Sequence, residues 1–401
     1  MTALKQKIQT LAKAYLPSIV ATRRHIHANP ELSYQEVETG KFIAEQLAAM
    51  GIAYEHGVAE NGVVGLIYGK NPSKKILALR ADMDALPIFE KNAVDYRSKN
   101  EGVMHACGHD AHSASLLGAA RILHELRHEW EGTVKLIFQP AEEKLPGGAS
   151  IMIAEGVLEN PVPSLIIGQH VHPPLQAGRV GMRGGNYMAS ADEIYVKIIG
   201  KGGHGALPQD CVDPVAIMAT MLGALQQIVS RNASPTTPSV LTFGKIIANG
   251  ATNIIPDEVY MEGTFRTFDE VWRAKAHDLM VKMAEGIAES MGGRCEFRID
   301  KGYPVLHNDA ALTKRVFAYA QDYLGVEHVE ELPIRMTAED FAYYSHQIPA
   351  VFYRLGTGNA ALGTHFPLHT ATFNIDEAAL EIGAGLMAHL ALAELAFENA
   401  D

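Results

Sequence analysis

The segment MHACGHDAH, from Met104 to His112, packs one thiol and three imidazoles into nine residues. Cys107 and His109 are two residues apart, and Gly108 between them allows a tight loop in which both side chains face one ion. A thiolate together with imidazole is typical of a site for zinc or a similar metal. The same pair also fits a nucleophilic cysteine that a nearby histidine activates. The segment by itself favours a metal site and leaves the nucleophile open.

Two adjacent glutamates, Glu142 and Glu143, follow the apolar run VKLIF and the residues QPA. Neighbouring residues of an extended backbone project to different sides, so one carboxylate can bind metal while the other faces a water molecule. Hydrolysis at a metal pair needs this division between a ligand and a general base. Adjacent glutamates are usually a solvated surface pair, but the apolar strand before them favours a place at the edge of a sheet.

His170 and His369 are weak candidates on their own, because the chain has 18 histidines. Other histidines compete for the same roles: His25, His27, His172 and His365. The residues alone therefore predict a metal site with one cysteine, one glutamate and several histidines.

The elements that must position these residues are short apolar runs that end in polar ones. Helical patterns alternate with such runs over the first ~190 residues, which predicts a mainly parallel sheet covered by helices. The runs are Ile76–Arg80 before Asp82-Met83-Asp84, Val134–Phe138 before Glu142-Glu143, Leu165–Gly168 before Gln169-His170, and Val351–Leu355 before the loop to His369. Ligands of such sheets lie beyond the carboxyl ends of the strands. The polar residues are therefore expected to converge.

Residues 189–299 have a different pattern, with strands and helices in the order β-α-β-β-α-β. This order is typical of a ferredoxin-like domain. A chain of 401 residues exceeds the size at which one hydrophobic core stops growing. We therefore predict an α/β protein in which residues 1–188 and 300–401 form the catalytic domain and 189–299 form an inserted domain.

The composition is that of a soluble, acidic, globular protein. A formal net charge of −12 argues against nucleic acid or an anionic membrane as partner, since both require a basic face. We find no unbroken apolar run of the ~18 residues that a membrane span needs, and the lysine-bearing N-terminus does not resemble a secretory signal. Cys107, Cys211 and Cys295 are too few for a disulfide framework, so we expect a cytoplasmic protein with free thiols.

Motifs along nearly the whole chain resemble the aminoacylase branch of a metallopeptidase family, and they occur in the family's order. The wider family includes carboxypeptidase G and aminoacylase. The branch includes hippurate hydrolases, indole-acetyl-amino-acid hydrolases and N-acetyl-diaminopimelate deacetylases. The motifs that carry the resemblance are HIHANPELSYQEVET, LRADMDALPI, MHACGHDAHSASLLGAA, GTVKLIFQPAEE, GGHGALPQDCVDPV, TNIIPD, GTFRT and AEDFAYY.

The resemblance implies a pair of divalent ions and a role for each residue of the centre. The ligands it implies are Cys107 as the bridge, with His109, Glu143, His170 and His369. Glu142 matches the general base, and Asp84 matches an aspartate that lies behind a ligand. Zinc is the metal that a bridging thiolate with imidazoles suits best, while manganese, nickel and cobalt also fit.

In the inserted domain, the resemblance implies contacts with the substrate. His204 matches a residue that steadies the oxyanion, often in the active site of the partner subunit. Asn253 and Arg266 match groups that hold the carbonyl and the free carboxylate of the substrate. The expected reaction is hydrolysis of the amide bond of small N-acyl-L-amino acids, and the expected assembly is a homodimer or a higher homo-oligomer, with the insert as lid or dimerisation element.

The sequence departs from the wider family at one ligand position. Its usual His-x-Asp element is Asp82-Met83-Asp84 in this chain, so that histidine is missing. The resemblance implies that His109 supplies the imidazole instead, as in the aminoacylase branch.

Three alternatives remain open on the sequence. A dipeptidase or carboxypeptidase would use the same two-metal centre on a different substrate. A hydrolase with Cys107 as nucleophile would resist chelators and would leave Glu142-Glu143 unexplained. A non-catalytic metal-binding or regulatory relative would lack at least one ligand, and the sequence lacks none.

Overall fold

The computed structural model describes residues 2–398, and all bounds below refer to that part of the chain. The helices are α1 (Thr2–Ala28), α2 (Val37–Ala49), α3 (His109–Glu125), α4 (Gly148–Ala154), α5 (Pro214–Gln227), α6 (Glu270–Ser290), α7 (Ala310–Leu324), α8 (Ala342–Ser345) and α9 (Ala379–Ala396). The first strands are β1 (Ala53–Val58), β2 (Gly62–Tyr68), β3 (Ile76–Asp82), β4 (Thr133–Gln139), β5 (Ile166–Gln176), β6 (Val180–Met182), β7 (Gly185–Met188) and β8 (Asp192–Ile199). The others are β9 (Gly203–His204), β10 (Ser239–Ile247), β11 (Ile254–Ile255), β12 (Glu258–Thr267), β13 (Arg294–Lys301), β14 (Leu306–Asn308), β15 (Val329–Glu331) and β16 (Ala350–Gly358).

The chain divides into two compact units. Unit 2 comprises Met188–Leu306 and Arg335–Glu339, and unit 1 comprises the rest of the described chain. Unit 2 therefore ends beyond the predicted residue 299. The reason is that β13 pairs with β8 as far as Lys301, and Val305 then packs in a small cluster with Ala189 and Phe268. The segment Arg335–Glu339 belongs to unit 2 because Ala189 N donates to Arg335 O at 3.0 Å.

Unit 1 is built on an eight-stranded sheet in the order β1-β2-β4-β3-β5-β16-β6-β15. The central strands β4, β3, β5 and β16 are parallel, which confirms the mainly parallel sheet, while β1 and β2 add an antiparallel edge. Every residue of β4 is buried, as in parallel sheets with both faces covered. Carboxyl ends of the central strands consequently share one edge, where polar side chains can meet.

Helix α9 is long and apolar enough to cross a membrane by length and composition alone. It contains Glu381 and Glu394, so it is not an unbroken apolar run. In the fold, 83% of its residues are buried inside the protein, and it packs against α1, α3 and α7. Its apolar composition follows from this cover on all sides, as for other core helices.

Strand β5 is longer than the sequence predicts. The predicted end at Gly168 is wrong, because the backbone stays extended to Gln176 and remains paired with β16. His170 thus lies inside a strand, and not in the loop after it. His170 nevertheless lies beyond the part of β5 that pairs with β3, because the last pair between these two strands is Arg80 with Gly168. The expected position at the carboxyl edge of the sheet is therefore kept.

Unit 2 contains a four-stranded antiparallel sheet in the order β10-β12-β8-β13, together with α5 and α6. This is the strand order of a ferredoxin-like βαββαβ unit, which confirms the predicted fold. Alternate residues of β8 are buried, as expected for a sheet with one face on the core. Asp213 and Asp269 cap the N-termini of the two helices through backbone N–H groups. The role of this unit as lid or dimerisation element stays a prediction.

Candidate metal centre

Cys107 is buried and lies at the middle of a cluster in unit 1 whose other members are buried, apart from the half-buried Glu143 and the exposed His369. Its Sγ is 3.4 Å from Nε2 of His170 and 3.4 Å from Nε2 of His369. Among the groups of possible ligands whose donor atoms lie within 4.8 Å of one another are three that concern this cluster: Cys107, His109 and His170; Cys107, Glu143 and His369; and His109, Glu142 and Glu143. The structure therefore brings together all five predicted ligands and the predicted general base. The thiol belongs to two of these groups, as a bridging position requires.

The backbone conformation around Cys107 brings His109 and His369 close to the thiol. Gly108 has a φ of +84°, and a Cβ there would lie 2.5 Å from Cγ2 of Val171, so only glycine fits. His109 is the first residue of α3, directly after this turn. His369 has a φ of +60°, and its N–H donates to Ala106 O at 2.8 Å, which fixes its loop beside the thiol.

The His109 ring is held by Asp84. Its Nδ1 lies 3.0 Å from Oδ1 of Asp84, so Nδ1 carries the hydrogen when the ring is neutral. Nε2 then faces the cluster, 3.9 Å from Oε1 of Glu143. Asp84 also accepts hydrogen bonds from Ser33 Oγ at 2.6 Å and from Glu143 N at 3.0 Å. The predicted place of Asp84 behind a ligand agrees with these contacts.

The two glutamates follow a residue with an unusual backbone conformation. Ala141 has a φ of +52°, and its N–H donates to Oε1 of the buried Glu36 at 2.7 Å. Glu142 accepts a hydrogen bond from Asp340 N at 3.4 Å, and its side chain is buried. Glu143 points to His369, with Oε1 3.2 Å from Nε2. The sequence prediction that the two side chains project to opposite sides of an extended backbone is wrong, because the bend after Ala141 brings both carboxylates into one donor group with His109.

The residues fit a pair of divalent cations. His109 Nε2 and Glu143 Oε1 are buried and have no hydrogen-bond partner within the described residues, although both atoms point into the cluster. Burial disfavours a charged imidazole, yet Asp82, Asp84 and Glu143 raise the pKa of His109 to about 10. Burial and the carboxylates of Glu143 and Glu142 raise the pKa of the Cys107 thiol. The site therefore has an excess of negative charge that a cation would balance.

Sequence reasoning did not identify the buried polar residues that surround the centre. Arg80 donates to Asp82 at 2.6 Å and to Asp340 at 2.8 Å, and His112 Nδ1 lies 2.5 Å from Asp82. A signal for His112 existed, because residues three apart on a helix share a face, and His109 is three residues before it. The contact between Arg80 and Asp340 spans 260 residues and leaves no local pattern.

The competing histidines have other neighbours. His25 stacks on Phe42, and His365 stacks on Phe366. His27 is buried between Asp110 and Glu90. None of these, nor His172, belongs to the donor groups found among residues 2–398.

The predicted substrate contacts lie in unit 2. His204 in β9 pairs with Ile254 in β11, and Gly205 N donates to Asn253 O at 2.9 Å, so His204 and Asn253 are neighbours. Ala206 N donates to Nδ1 of His204 at 3.1 Å. Arg266 in β12 donates from Nε to Thr264 Oγ1 at 3.1 Å. Their roles towards a substrate stay predictions.

Comparison with known proteins gives consistent results. An N-acyl-L-amino acid amidohydrolase of Geobacillus stearothermophilus is 43% identical over 76% of this chain and 82% of its own. Thermostable carboxypeptidase 2 of Saccharolobus solfataricus is 39% identical over 99% of both chains. The crystal structure of a dinuclear metal-binding peptidase from the M20 family of Bacillus subtilis has a TM-score of 0.80 and 34% identity, with 96% of this chain and 99% of that chain covered.

The model of the peptidase family M20/M25/M40 matches residues 78–393 of this chain. That range contains every residue of the donor groups described above and the whole of unit 2. This chain therefore belongs to peptidase family M20/M25/M40, and it is a metal-dependent hydrolase of that family.

Proposed function

We propose that this protein hydrolyses the amide bond of N-acyl-L-amino acids at a centre of two divalent ions. The observation that carries the proposal is the position of Cys107, which shares one donor group with His109 and His170 and another with Glu143 and His369. A single thiolate common to two ligand sets is the arrangement a binuclear site needs. The Geobacillus relative, named for this activity, supports the substrate class.

Zinc is the metal we propose first, because thiolate and imidazole ligands suit it. Manganese, nickel and cobalt are the alternatives that metal analysis would distinguish. When bound, the ions supply Lewis acidity and lower the pKa of a water molecule from about 15.7 towards ~7. The proposed holders are the five residues of the two ligand sets that share Cys107.

Glu142 is the proposed general base. Its carboxylate is buried, belongs to the same donor group as His109 and Glu143, and is fixed on one side by the N–H of Asp340. A carboxylate in this position can take a proton from water and later deliver it to the leaving amine. Glu143 is then left to hold metal, since its Oε1 faces His369.

His204 is the proposed donor to the oxygen that gains negative charge. Its Nδ1 accepts the N–H of Ala206, so the neutral ring carries its hydrogen on Nε2. A hydrogen on Nε2 is what stabilisation of an oxyanion requires. Arg266 offers a planar guanidinium, which suits the free carboxylate of an amino acid. Asn253, beside His204, is the proposed contact for the substrate carbonyl.

The cysteine-nucleophile alternative is disfavoured by the surroundings of Cys107. A reactive cysteine needs a lowered pKa, whereas burial and nearby carboxylates raise the pKa of this thiol. That alternative also gives no role to Nε2 of His109, which has no hydrogen-bond partner within residues 2–398.

A carboxypeptidase or dipeptidase activity is the second candidate, because a relative named as a carboxypeptidase matches almost the whole chain.

We also propose that the protein is a homodimer. In unit 2, the edge strand β10 exposes Val240, Ile246 and Ile247, which are 38 to 42% accessible. An apolar edge of this kind is typical of strand pairing between subunits.

The test combines metal analysis with a hydrolysis screen. Purified protein is assayed for bound metals and incubated with N-acetyl amino acids, hippuryl amino acids and dipeptides, with the Glu142→Gln variant as the control for contaminating activity. We expect two ions per chain and faster cleavage of N-acyl amino acids. Faster cleavage of dipeptides would select the second candidate, and activity that survives chelation would contradict both.

A further inference from the structure

Strand β5 loses its neighbour on one side shortly before His170. Its pairing with β3 ends where Arg80 lies beside Gly168, whereas β5 itself continues to Gln176 alongside β16. Backbone groups of β5 that face β3 beyond this point have no strand to pair with. Buried N–H and C=O groups must nevertheless find partners.

The hydrogen-bond pattern tells which residues these are. Leu165 O accepts from Ala78 N of β3, whereas Ile166 N donates to Pro349 O on the β16 side. Successive residues of a strand face opposite neighbours, so odd-numbered residues of this stretch face β3. Val171, which is completely buried, therefore directs its backbone groups to the side that β3 no longer covers.

Two imidazoles satisfy the backbone of Val171. Its N–H donates to Nε2 of His112 at 2.8 Å, and its carbonyl oxygen lies 2.7 Å from Nδ1 of His170. His170 consequently carries its hydrogen on Nδ1, and its Nε2 is left for the cluster, where it faces Cys107 at 3.4 Å.

The His112 ring has no nitrogen to spare. Since Nε2 accepts a hydrogen bond, the hydrogen lies on Nδ1, which is 2.5 Å from Oδ1 of Asp82. The other oxygen of Asp82 accepts from Arg80 Nη1 at 2.6 Å. His112 is also fully buried, so the ring cannot turn towards water.

We propose that His112 is a positioning residue that fixes His170 through the backbone of Val171. The contacts run from Asp82 to His112, from His112 to the Val171 N–H, and from the Val171 carbonyl to the His170 ring. Asp82, at the end of β3, thereby orients the His112 ring. The inference rests on the proposed function, which assigns His170 as a ligand.

The alternative is that His112 binds metal itself. Asp82, His109 and His112 have donor atoms within 4.8 Å of one another, which is close enough to hold an ion. An ion there would have to displace the hydrogen bonds that Asp82 and Val171 make with His112. Those bonds saturate both ring nitrogens, whereas Nε2 of His109 has no partner among the described residues. The geometry therefore favours His109 as the ligand and His112 as the residue that positions His170.

The test uses the full chain, stripped of metal with a chelator and titrated with Co²⁺ alone. Thiolate-to-cobalt charge transfer reports binding at Cys107 without any activity assay. The variants are His112→Phe, which removes both hydrogen bonds, and His112→Gln, whose amide oxygen can still accept the Val171 N–H. His124→Phe is the matched control, because His124 lies more than three turns further along α3.

We expect His112→Phe to bind two Co²⁺ ions at saturation, one of them about ten- to a hundredfold more weakly than in the wild type. His112→Gln is expected to lie nearer the wild type, and His124→Phe to match it. Loss of one ion even at saturating Co²⁺ would show that His112 is a ligand and would overturn the proposal. Equal affinities in the wild type and both His112 variants would overturn it as well.

Two further results keep the outcomes separate. Circular dichroism of each apoprotein checks folding. If His112→Phe does not fold, the smaller His112→Leu, which also lacks both hydrogen bonds, replaces it in the comparison. A wild-type protein that binds no Co²⁺ would contradict the proposed function itself. The wild type could instead bind two ions while both folded His112 variants bind Co²⁺ with the wild-type affinities. That result would contradict only the role of His112.

Discussion

Nδ1 of His109 lies 3.0 Å from Oδ1 of Asp84, and this contact decides which nitrogen of the ring faces the metal cluster. A carboxylate can only accept the hydrogen on Nδ1, whereas an amide could also donate and move that hydrogen to Nε2. We expect Asp84→Asn to bind metal about ten- to a hundredfold more weakly, measured by competition with a chelating dye. Ser33→Ala is the control. It removes only the 2.6 Å hydrogen bond to Asp84 and leaves the carboxylate, so its effect should be smaller.

The division of roles between the two glutamates gives the second prediction. Glu142→Gln should keep its metal and lose about a hundred- to ten-thousandfold in kcat, since an amide cannot take a proton. Glu143→Gln should lose metal, because its Oε1 faces His369 in the donor group and has no hydrogen-bond partner among the described residues. Metal content and kcat are measured on the same preparations. A Glu142→Gln enzyme with full turnover would remove the general-base assignment.

Arg80 forms buried ion pairs with Asp82 and with Asp340, and we expect its replacement to lower the stability of the protein. Arg80→Met removes a buried cation from two buried carboxylates, so we expect the free energy of unfolding in urea to fall by about 3–5 kcal/mol. Arg179→Met is the matched control, because its ion pair with Glu330 is exposed and should be worth about 0–1 kcal/mol. If both variants lost a similar free energy of unfolding, burial of the Arg80 ion pairs would not add to their contribution to stability.

The fourth prediction concerns acid stability of unit 2. Burial raises the pKa of Asp192, but hydrogen bonds from His277 and Arg273 outweigh burial and hold it below its ordinary value. A lowered folded-state pKa contributes stability above the unfolded value of about 3.9, and this stability is lost as the pH falls through the folded value. Asp192→Asn should therefore be less stable at neutral pH and less sensitive to pH below about 4.

Tryptophan fluorescence can follow that transition. The chain has two tryptophans, and Trp272 lies in unit 2 next to Arg273, so a Trp130→Phe background makes it the reporter. Asp278→Asn, an exposed aspartate of the same helix, is the control. An acid transition with the same midpoint and steepness in all variants would contradict the role of Asp192.

The fifth prediction tests whether His204 acts on the partner subunit. His204→Ala and Glu142→Gln subunits are each expected to be inactive as pure proteins. If His204 acts in trans, a mixed dimer combines an intact Glu142 with an intact His204 at one of its two sites, and activity returns on mixing. Mixing either variant with itself is the control. Mixed dimers without activity would indicate action within one subunit.

The sequence predicts those parts of the fold that depend on local pattern. Strands with alternating or continuous apolar residues lie within a few residues of their expected places, and the helices of unit 2 begin directly after Asp213 and Asp269. The length of β5 could not be predicted in this way, because its second half is extended only through pairing with β16, almost 200 residues later. The inclusion of Arg335–Glu339 in unit 2 depends likewise on a distant contact with Ala189.

The residues of the candidate site likewise differ in whether local sequence pattern or distant contacts determine their role. Cys107, His109 and Glu143 stand in motifs whose chemistry is visible in the sequence, and the structure brings them together. His112 stands in the same motif, yet its part depends on which ring nitrogen accepts a hydrogen bond. That is a property of distances to Val171 and Asp82, and no spacing along the chain encodes it.

The position of β16 has a consequence for how the protein is made. This strand lies between β5 and β6 in the sheet, although it is the last strand of residues 2–398 to leave the ribosome. At ordinary rates of synthesis, β5 waits roughly ten to forty seconds with one edge unpaired. An open apolar edge invites pairing with other chains. A stalled or truncated chain that ends before Ala350 would consequently be a candidate for chaperone capture, even though most of its sequence is already present.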